Sequence, residues 1–162
     1  MGVTCTICRV SSSDFEALGE DELAARLRYG VPGAQDLDKA WDGILWLISE
    51  ERRERAFMLP DPDLPETQSL MPNDYFDGGE AQIAYATPSR VAKIAAALGK
   101  LDEAALRSRY DGPAMTEAAV YPEIWDRGEP DALDYLVGHF ETLRETYRAA
   151  AAAGDYVLVA IA

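Results

Sequence analysis

The sequence predicts a single α+β domain over 1–162, in which a small mixed sheet holds both the amino-terminal and the carboxy-terminal strand and several helices pack against it. Three observations support this prediction. Strand-like runs stand at the two ends of the chain, periodic helical patterns with recognisable caps lie between them, and 162 residues suit one compact core. Hydrophobic residues make up 48% of the chain and charged residues 27%, which is an ordinary globular composition.

The first element is a strand over about 3–10, predicted by the β-branched run V-T-C-T-I-C-R-V. Cys5 and Cys8 form a C-x-x-C motif inside it. A redox motif of this kind needs a helix amino terminus to lower a thiol pKa, whereas strand alternation turns the two sulfurs to opposite faces. A four-ligand zinc site is also short of ligands, because the chain has two cysteines and one histidine. We therefore expect structural cysteines, no metal and no cofactor.

Two short helical patterns follow the first strand. Ser13 and Glu16 have the spacing of a capping box, in which each side chain caps the backbone of the other, so a helix is predicted to begin there. The pattern E-D-E-L-A-A-R-L-R-Y-G then runs to Gly30, after which V-P-G indicates a turn.

The pattern D-L-D-K-A-W-D-G-I-L-W-L-I-S-E-E predicts the main helix over about 36–51. At about 100° per residue its apolar side chains, which include Trp41, form one broad face that should point to the core. Trp46 falls on the opposite side among polar residues, so its ring is either covered by a second layer or exposed. Gly43 lies mid-helix, where glycine costs about 1 kcal/mol relative to alanine and where it would let another backbone pass close by.

Regular patterns stop over 56–79. Four prolines punctuate this segment, Pro60, Pro62, Pro65 and Pro72, and a Gly-Gly pair closes it. We therefore predict an irregular Pro-rich loop. A loop of this length is commonly a binding loop, a lid or a linker, and simple connection is the alternative interpretation.

Strand and helix signals return at A-Q-I-A-Y-A, which predicts a short strand. The following T-P-S-R places Thr87 as the N-cap and Pro88 at the first position of a helix that ends at Gly99. A further short helix is predicted over about 102–109, and the region 111–126 is rich in turns.

The last helix is predicted to be the longest. It opens at Pro130 and runs to the alanines before Gly154, with Leu136, Phe140 and Leu143 on its core stripe. The chain then ends in D-Y-V-L-V-A-I-A. An apolar run of this kind predicts a strand that is buried on both faces in the middle of the sheet, where it can pair with the first strand.

The charge balance narrows the range of partners. The 29 acidic and 15 basic residues give a formal net charge of −14, a field that repels nucleic-acid phosphates and anionic lipid head groups. We therefore predict no nucleic-acid and no membrane partner. The acidic residues form either an ordinary solvated surface or a surface that meets a basic protein partner, and a homodimer is also open. No apolar segment approaches the ~18–20 residues of a membrane span and no secretion signal is recognised, so a cytoplasmic protein is expected.

Recognised catalytic motifs are absent from the sequence. It contains no Walker or dinucleotide-type glycine loop and no G-x-S-x-G. The one histidine, His139, lies at the edge of the last helix's apolar stripe, where packing of its ring is the more ordinary role. We predict no catalytic residue, and the balance is against an enzyme.

Two segments set a tryptophan directly against an aspartate, D-K-A-W-D over 38–42 and Y-P-E-I-W-D over 121–126. An indole can raise the pKa of a neighbouring carboxyl group by desolvation, and carboxylates with aromatic walls suit a cationic ligand. Both ideas require the two segments to meet in space. The candidate ligand or partner residues are Trp41, Asp42, Trp46, Tyr121, Glu123, Trp125 and Asp126. The interpretation that we favour is the more ordinary one, in which the indoles anchor the core while the acids cap helices or pair with arginines.

Two functions are therefore carried forward. The leading prediction is a non-catalytic binding or accessory module for a protein partner, which requires an exposed patch around Trp46 or the Pro-rich loop. The second is a small-molecule-binding or hydrolytic site that has both Trp-Asp segments on its wall and 56–79 as a lid.

The chain resembles the YfbM-like family of bacterial proteins of unknown function. The matching segments are L-D-K-A-W-D-G-I-L-W-L-I, A-Y-A-T-P-S-R-V-A-K-I-A-A-A-L, L-R-S-R-Y-D, Y-P-E-I-W-D and A-A-A-A-A-G-D-Y-V-L-V-A-I-A, and their order and spacing cover nearly the whole chain. The resemblance implies a single α+β domain and supplies no activity and no site residues. The C-x-x-C motif is outside the shared pattern, and 56–79 fits that pattern least well.

Overall fold

One five-stranded sheet organises the fold. The computed structural model describes residues 2–54, 61–79, 82–126 and 131–162. Its strands are β1 (Cys5–Val10), β2 (Ala34–Asp36), β3 (Asp74–Asp77), β4 (Gln82–Ala86) and β5 (Tyr156–Ile161), in the order β2-β1-β5-β4-β3. Every strand pairing in the described part of the chain is antiparallel, so the sheet is antiparallel rather than mixed.

Helices cover both faces of the sheet. In the described ranges they are α1 (Ser12–Ala17), α2 (Glu20–Ala25), α3 (Trp41–Ile48), α4 (Glu50–Glu54), α5 (Pro65–Gln68), α6 (Pro88–Leu98), α7 (Glu103–Arg109), α8 (Gly112–Glu117) and α9 (Ala132–Ala153). The chain thus has the predicted α+β fold. Among these helices, none is long and apolar enough to cross a membrane.

The central position of β5 follows from its apolar composition. Val157 and Leu158 are fully buried and Val159 is 2% exposed, so β5 needs cover on both faces. It pairs with β1 along the whole length of both strands, and with β4 on its other side. The predicted pairing of the two terminal strands is confirmed.

The two faces of the sheet carry two hydrophobic cores. On the inner face, Cys5 of β1 joins Val157 and Val159 in the main core, which α3, α6 and α9 close. On the outer face, Cys8 and Leu158 join a smaller core with residues of α1 and α2. Both thiols are buried and free, and they lie on opposite faces, as strand alternation predicts.

The longest helix, α9, packs along the inner face. Leu136, Phe140 and Leu143 form its buried stripe, each with no exposed surface. The helix ends at Gly154, whose φ of 70° is the left-handed conformation that glycine adopts without steric cost. The predicted start of this helix at Pro130 lies outside the described residues.

The main helix, α3, begins at Trp41, later than predicted. The preceding residues Ala34–Asp36 pair with β1 as the edge strand β2. The backbone N–H of Leu37 donates to the Cys5 carbonyl at 2.8 Å, and the N–H of Cys5 donates to the Asp38 carbonyl at 2.9 Å. These bonds to the sheet edge replace the helical bonds that the local pattern favours, because tertiary pairing overrides a weak helix propensity.

Three further expectations need correction. The N-cap of α1 is Ser11, whose hydroxyl accepts from the Asp14 N–H at 3.1 Å, and not Ser13. The described part of the Pro-rich segment, 61–79, is not without regular structure, because it contains α5 and β3. The turn-rich region 111–126 likewise contains α8. Both α5 and α8 have a proline in the first turn, where its missing N–H does no harm to the helix.

Gly43 is the point of closest packing on α3. A Cβ atom at this position would lie 2.6 Å from Leu136 Cδ2 and 3.0 Å from two ring atoms of Trp125. The absent side chain therefore makes room for side chains of the core, and no backbone passes within that distance. The indole of the second Trp-Asp segment is thus packed directly onto the first.

We predict that Gly43→Ala destabilises the protein by about 1–3 kcal/mol, because the added methyl group overpacks the contact with Trp125 and Leu136. Gly138→Ala is the matched control. Gly138 is also inside a helix, but a Cβ there meets nothing within 4 Å, so this change should stabilise by about 0.5–1 kcal/mol. Denaturant unfolding of both variants tests whether the two changes alter the free energy of unfolding in opposite directions. Equal effects at the two positions would contradict the packing argument.

Candidate functional site

The two Trp-Asp segments meet in the structure through Asp42. Its Oδ2 accepts a hydrogen bond from the backbone N–H of Tyr121 at 2.9 Å. The Trp41 and Tyr121 rings stack beside this bond, with centroids 5.9 Å apart and planes 25° from parallel. The segments 38–42 and 121–126 are therefore neighbours although about eighty residues separate them along the chain.

The Asp42 carboxylate is nevertheless enclosed. Asp42 is 7% exposed and Arg52 is 8% exposed. The guanidinium of Arg52 donates to both carboxylate oxygens, from Nε to Oδ1 and from Nη2 to Oδ2, each at 3.3 Å. A buried carboxylate with a two-point guanidinium partner and a backbone donor is a structural joint rather than a group presented to a ligand.

The three tryptophans of the chain are mostly enclosed as well. Trp125 is 3% exposed, and its Nε1 donates to the Val120 carbonyl at 2.9 Å. Trp46 is 4% exposed and belongs to the main core, so an exposed patch around it is ruled out. Trp41 is half-buried, and its Nε1 donates to the Val3 carbonyl at 3.3 Å.

The other candidate residues lie nearer the surface. Glu123 and Asp126 are exposed, and Tyr121 is half-buried. The Tyr121 hydroxyl accepts a hydrogen bond from the N–H of Val3 at 2.8 Å, so Tyr121 and Trp41 together hold the start of the chain. None of four clefts in the described part of the chain is lined by both tryptophan–aspartate pairs.

A cleft of about 460 Å³ opens where the two segments meet the start of α9, and we call it the Asp38 cleft. Its lining residues are Asp38, Lys39, Pro122, Ile124, Asp131, Ala132 and Tyr135. Each Trp-Asp segment therefore contributes a wall, but through residues next to those that the sequence singled out. The volume falls within the range of about 300–1,000 Å³ that small-molecule sites occupy.

Asp38 is held in a left-handed backbone conformation, with φ of 47°. Its N–H donates to Asp36 Oδ1 at 2.7 Å, and its own Oδ2 accepts from the Tyr135 hydroxyl at 3.0 Å. Glu123, beside the opposite wall, is also left-handed with φ of 62°. Such conformations cost of order 1–3 kcal/mol each and are concentrated at functional sites.

Tyr135 remains a hydrogen-bond donor at any physiological pH. Burial raises its pKa, and the hydrogen bond to the Asp38 carboxylate raises it further. The imidazole of His139 meets the Tyr135 ring edge-on at a centroid distance of 4.7 Å. Burial lowers the pKa of His139, against the opposing effect of the Asp38 and Asp36 carboxylates, so the imidazole is neutral near pH 7.

A second cleft, of about 490 Å³, lies between β1 and α9. Its charged side chains are already paired, because Arg9 binds Asp155 at 3.1 Å and both Glu141 and Glu145 bind arginines of their own helix. The Asp38 carboxylate, by contrast, has a neutral hydroxyl as its hydrogen-bond partner. The Asp38 cleft is therefore the better candidate site despite its slightly smaller volume.

The chemistry available in the described residues is limited. No group of three or more His, Cys, Asp or Glu side chains among them could hold a metal ion. Burial, followed by the Asp36 carboxylate, raises the pKa of Cys5 to about 12, and burial raises the pKa of Cys8 against the effect of Arg26. Thiols with raised pKa values are poor nucleophiles, so the C-x-x-C motif offers no reactive cysteine.

Sequence reasoning located the right segments but not the residues that face the cleft. Asp38 opens the D-K-A-W-D segment but is not among the seven candidate residues named from the sequence. Tyr135 lies near the core stripe of α9, where an aromatic residue reads as ordinary packing. Its hydroxyl bond to Asp38 spans 97 positions and leaves no mark in any local pattern.

Comparison with known proteins identifies the family. The model of a protein family described as a domain of unknown function, DUF1877, matches residues 1–160, so the chain belongs to this family. Its fold is similar to the crystal structure of YfbM from Escherichia coli, a protein of unknown function, with a TM-score of 0.73 and 18% identity over 98% of this chain and 99% of that chain. At this identity the likeness shows the fold alone. No curated protein matches the sequence. The resemblance to the YfbM-like family is confirmed.

We predict that Asp42→Ala costs about 3–5 kcal/mol of stability, because it removes the carboxylate partner of Arg52 and the acceptor of the Tyr121 N–H. Asp42→Asn should cost less, since its amide oxygen still accepts from Tyr121. Arg148→Gln, which breaks an exposed pair with Glu145, is the control and should leave the unfolding midpoint almost unchanged. Denaturant unfolding ranks the three variants by stability. An unfolding midpoint of Asp42→Ala equal to that of the control would refute the structural role of Asp42.

We also predict that His139 makes stability depend on pH below 6.5. Its folded-state pKa is lowered from 6.5, so the unfolded chain takes up a proton first and the folded state loses stability as the pH falls through 6.5 toward the lower value. His139→Asn should flatten the free energy of unfolding measured over that window. Because His139 is the one histidine of the chain, its imidazole proton resonances report the folded-state pKa directly. A titration midpoint at 6.5 would remove this pH dependence, and one above 6.5 would reverse its sign.

Proposed function

We propose that this member of the DUF1877 family is a non-catalytic binding module, and that the Asp38 cleft takes a small molecule with an ammonium or guanidinium group on an apolar body. The observation that carries the proposal is the Asp38 carboxylate, which lines the cleft in a left-handed conformation with the Tyr135 hydroxyl on one oxygen. A side chain fixed in this way is pre-organised, so little freedom remains to be lost when a ligand binds.

The charge of the cleft favours a cationic group. Two carboxylates, Asp38 and Asp131, line it against one ammonium group, that of Lys39. Tyr135 donates a hydrogen bond to Asp38 but brings no positive charge. The hydrogen bond therefore does not neutralise the carboxylate, which can still attract a cationic ligand. A charge-assisted hydrogen bond to such a carboxylate is roughly twice as strong as a neutral one. The net charge of −14 adds a long-range attraction for cations.

The remaining walls suit an apolar body. Pro122, Ile124 and Ala132 present carbon surface to the cleft. A few placed polar groups within a mostly apolar concavity are the usual composition of a small-molecule site. The ligand class is therefore an amine with a hydrophobic portion, rather than a polyanion or a sugar.

The groups around the cleft support binding without catalysis. Tyr135 stays protonated, which makes it a donor and not a base. His139 contacts the Tyr135 ring edge-on and is not among the residues that line the cleft. The cytoplasm is the compartment that we propose, and two free buried thiols are compatible with a reducing environment.

A basic protein is the second candidate partner, and the edge strand β3 favours it. Asp74 and Asp77 bracket this strand, and Tyr75 within it is 61% exposed. The strand has one unpaired edge in the described sheet, which could accept an extended segment of another chain. Carboxylates at both ends of this strand would favour a lysine- or arginine-rich segment and would disfavour pairing with a second copy of this acidic chain.

We expect a thermal-shift screen of hydrophobic amines, each run beside its neutral isostere, to find compounds that raise the Tm of the wild-type protein. A ligand at a hundred times its Kd stabilises by about 2.7 kcal/mol, which is a readily measured shift. Asp38→Asn should abolish the shift, because asparagine tolerates the left-handed conformation but carries no charge. Tyr135→Phe should reduce it, because the carboxylate loses its fixed orientation.

Asp134→Asn is the matched control for this screen. Asp134 lies on the same helix as Tyr135 but binds Arg107 outside the cleft, so its variant should keep the full ligand-induced shift. A shift that survives in Asp38→Asn would refute the site. Neutral isosteres as effective as the amines would refute the ligand class, and an amine screen without any shift, together with a salt-sensitive complex with a basic protein, would favour the β3 edge instead.

A further inference from the structure

Two arginine guanidinium groups converge at the carboxyl end of α3. Arg53 of α4 donates from Nη1 to the carbonyls of Trp46 at 2.8 Å and Leu47 at 2.9 Å. Arg109, the last residue of α7, donates from its own Nη1 to the same Leu47 carbonyl at 2.9 Å. Two nitrogens that both lie 2.9 Å from one oxygen are less than about 6 Å apart, so two positive charges face each other here.

Capping explains part of this arrangement. The last carbonyl groups of a helix have no partner within it, and cations are favourable at this end of the helix dipole. One guanidinium is sufficient for that purpose, since Arg53 alone reaches both the Trp46 and the Leu47 carbonyl. The second guanidinium adds repulsion, and the nearby Arg109 contributes, after burial, to a lowered pKa of Arg53.

Neither guanidinium has a carboxylate within ion-pair distance in the part of the chain that the structure describes. Glu50 and Glu54 act on Arg53 only through their more distant charge. Of the ten N–H groups on the two side chains, three are used in the described hydrogen bonds. Both arginines are half-buried, so each side chain is packed against the protein over part of its surface and in contact with solvent over the rest.

We propose that Arg53 and Arg109 form a binding site for a phosphate-like oxyanion at the carboxyl end of α3. Two guanidinium forks offer the paired, planar donors that match the oxygens of a phosphate group. An oxyanion between them removes the repulsion between two like charges and satisfies donors that the described protein leaves unused. The neighbouring Arg52 does not take part, because its guanidinium binds Asp42.

The site is independent of the Asp38 cleft. The cleft lies before the first residue of α3, and the arginine pair lies at its last turn. An eight-residue helix is about 12 Å long, so a small ligand does not touch both sites. The two sites also prefer opposite charges, and the failure of either proposal leaves the other intact.

Inorganic phosphate, titrated at constant ionic strength against chloride, tests the proposal on the full chain. We expect phosphate to raise the wild-type Tm by roughly 3–6 °C at ten times its Kd. Arg53→Gln and Arg109→Gln should each abolish this increment, and the readout is the increment rather than the absolute Tm because the loss of a cap lowers Tm by itself. Arg148→Gln, at an exposed arginine, and Asp38→Asn, in the cleft, should keep it.

A wild-type measurement covers the case in which a variant fails to fold. In a spectrum of arginine side-chain N–H groups, phosphate should shift the Nε–H resonances of Arg53 and Arg109 and leave that of Arg148 in place. Equal shifts for all arginines, or none at the pair, would overturn the site. A phosphate increment that persists in both glutamine variants would overturn it as well and would leave capping as the whole role of the pair.

Discussion

The buried carboxylate of Asp42 is the interaction on which the candidate site depends. A charge removed from water is tolerated only with a partner and with its remaining lone pairs satisfied. Arg52 supplies the partner from α4, and the N–H of Tyr121 supplies the hydrogen bond from the loop after α8. One side chain in the first turn of α3 thus fixes two distant segments. The Asp38 cleft lies between the approach to α3 and that loop, so its width is set by this joint.

Asp38 and Asp42 show how environment assigns different roles to one residue type. Asp42 is enclosed and neutralised by a guanidinium, so its charge is used inside the fold. Asp38 has a phenolic hydroxyl for its partner, which orients the carboxylate without neutralising it. Both sit in D-K-A-W-D, one helical turn apart in sequence, but α3 begins only at Trp41. The late start of the helix leaves Asp38 on a left-handed turn, facing the cleft, instead of on a helix face.

The elements that sequence reasoning predicted well are those with local causes. Pro88 and Gly99 delimit α6, Asp102 caps α7, and the apolar terminal run becomes the central strand β5. Of the elements that it missed, α5 and α8 have local signals in their first-turn prolines, whereas β2 has a distant cause. The strand β2 exists because β1 offers it an edge, and that pairing shortens α3 from its amino end. The candidate site shows the same limit. Local patterns identified the two Trp-Asp segments, but they could not predict whether these segments meet in space.

The placement of positive charge in this acidic chain supports the proposed oxyanion site. With 29 acidic residues against 15 basic ones, an arginine has carboxylates within easy reach, and exposed arginines such as Arg107 and Arg148 are paired. Arg53 and Arg109 instead share a carbonyl, and neither forms an ion pair with a carboxylate among the described residues. Capping accounts for their direction but not for their number. An oxyanion accounts for the number, because it needs two forks and because it supplies a negative charge in direct contact, whereas Glu50 and Glu54 act on Arg53 only from a distance.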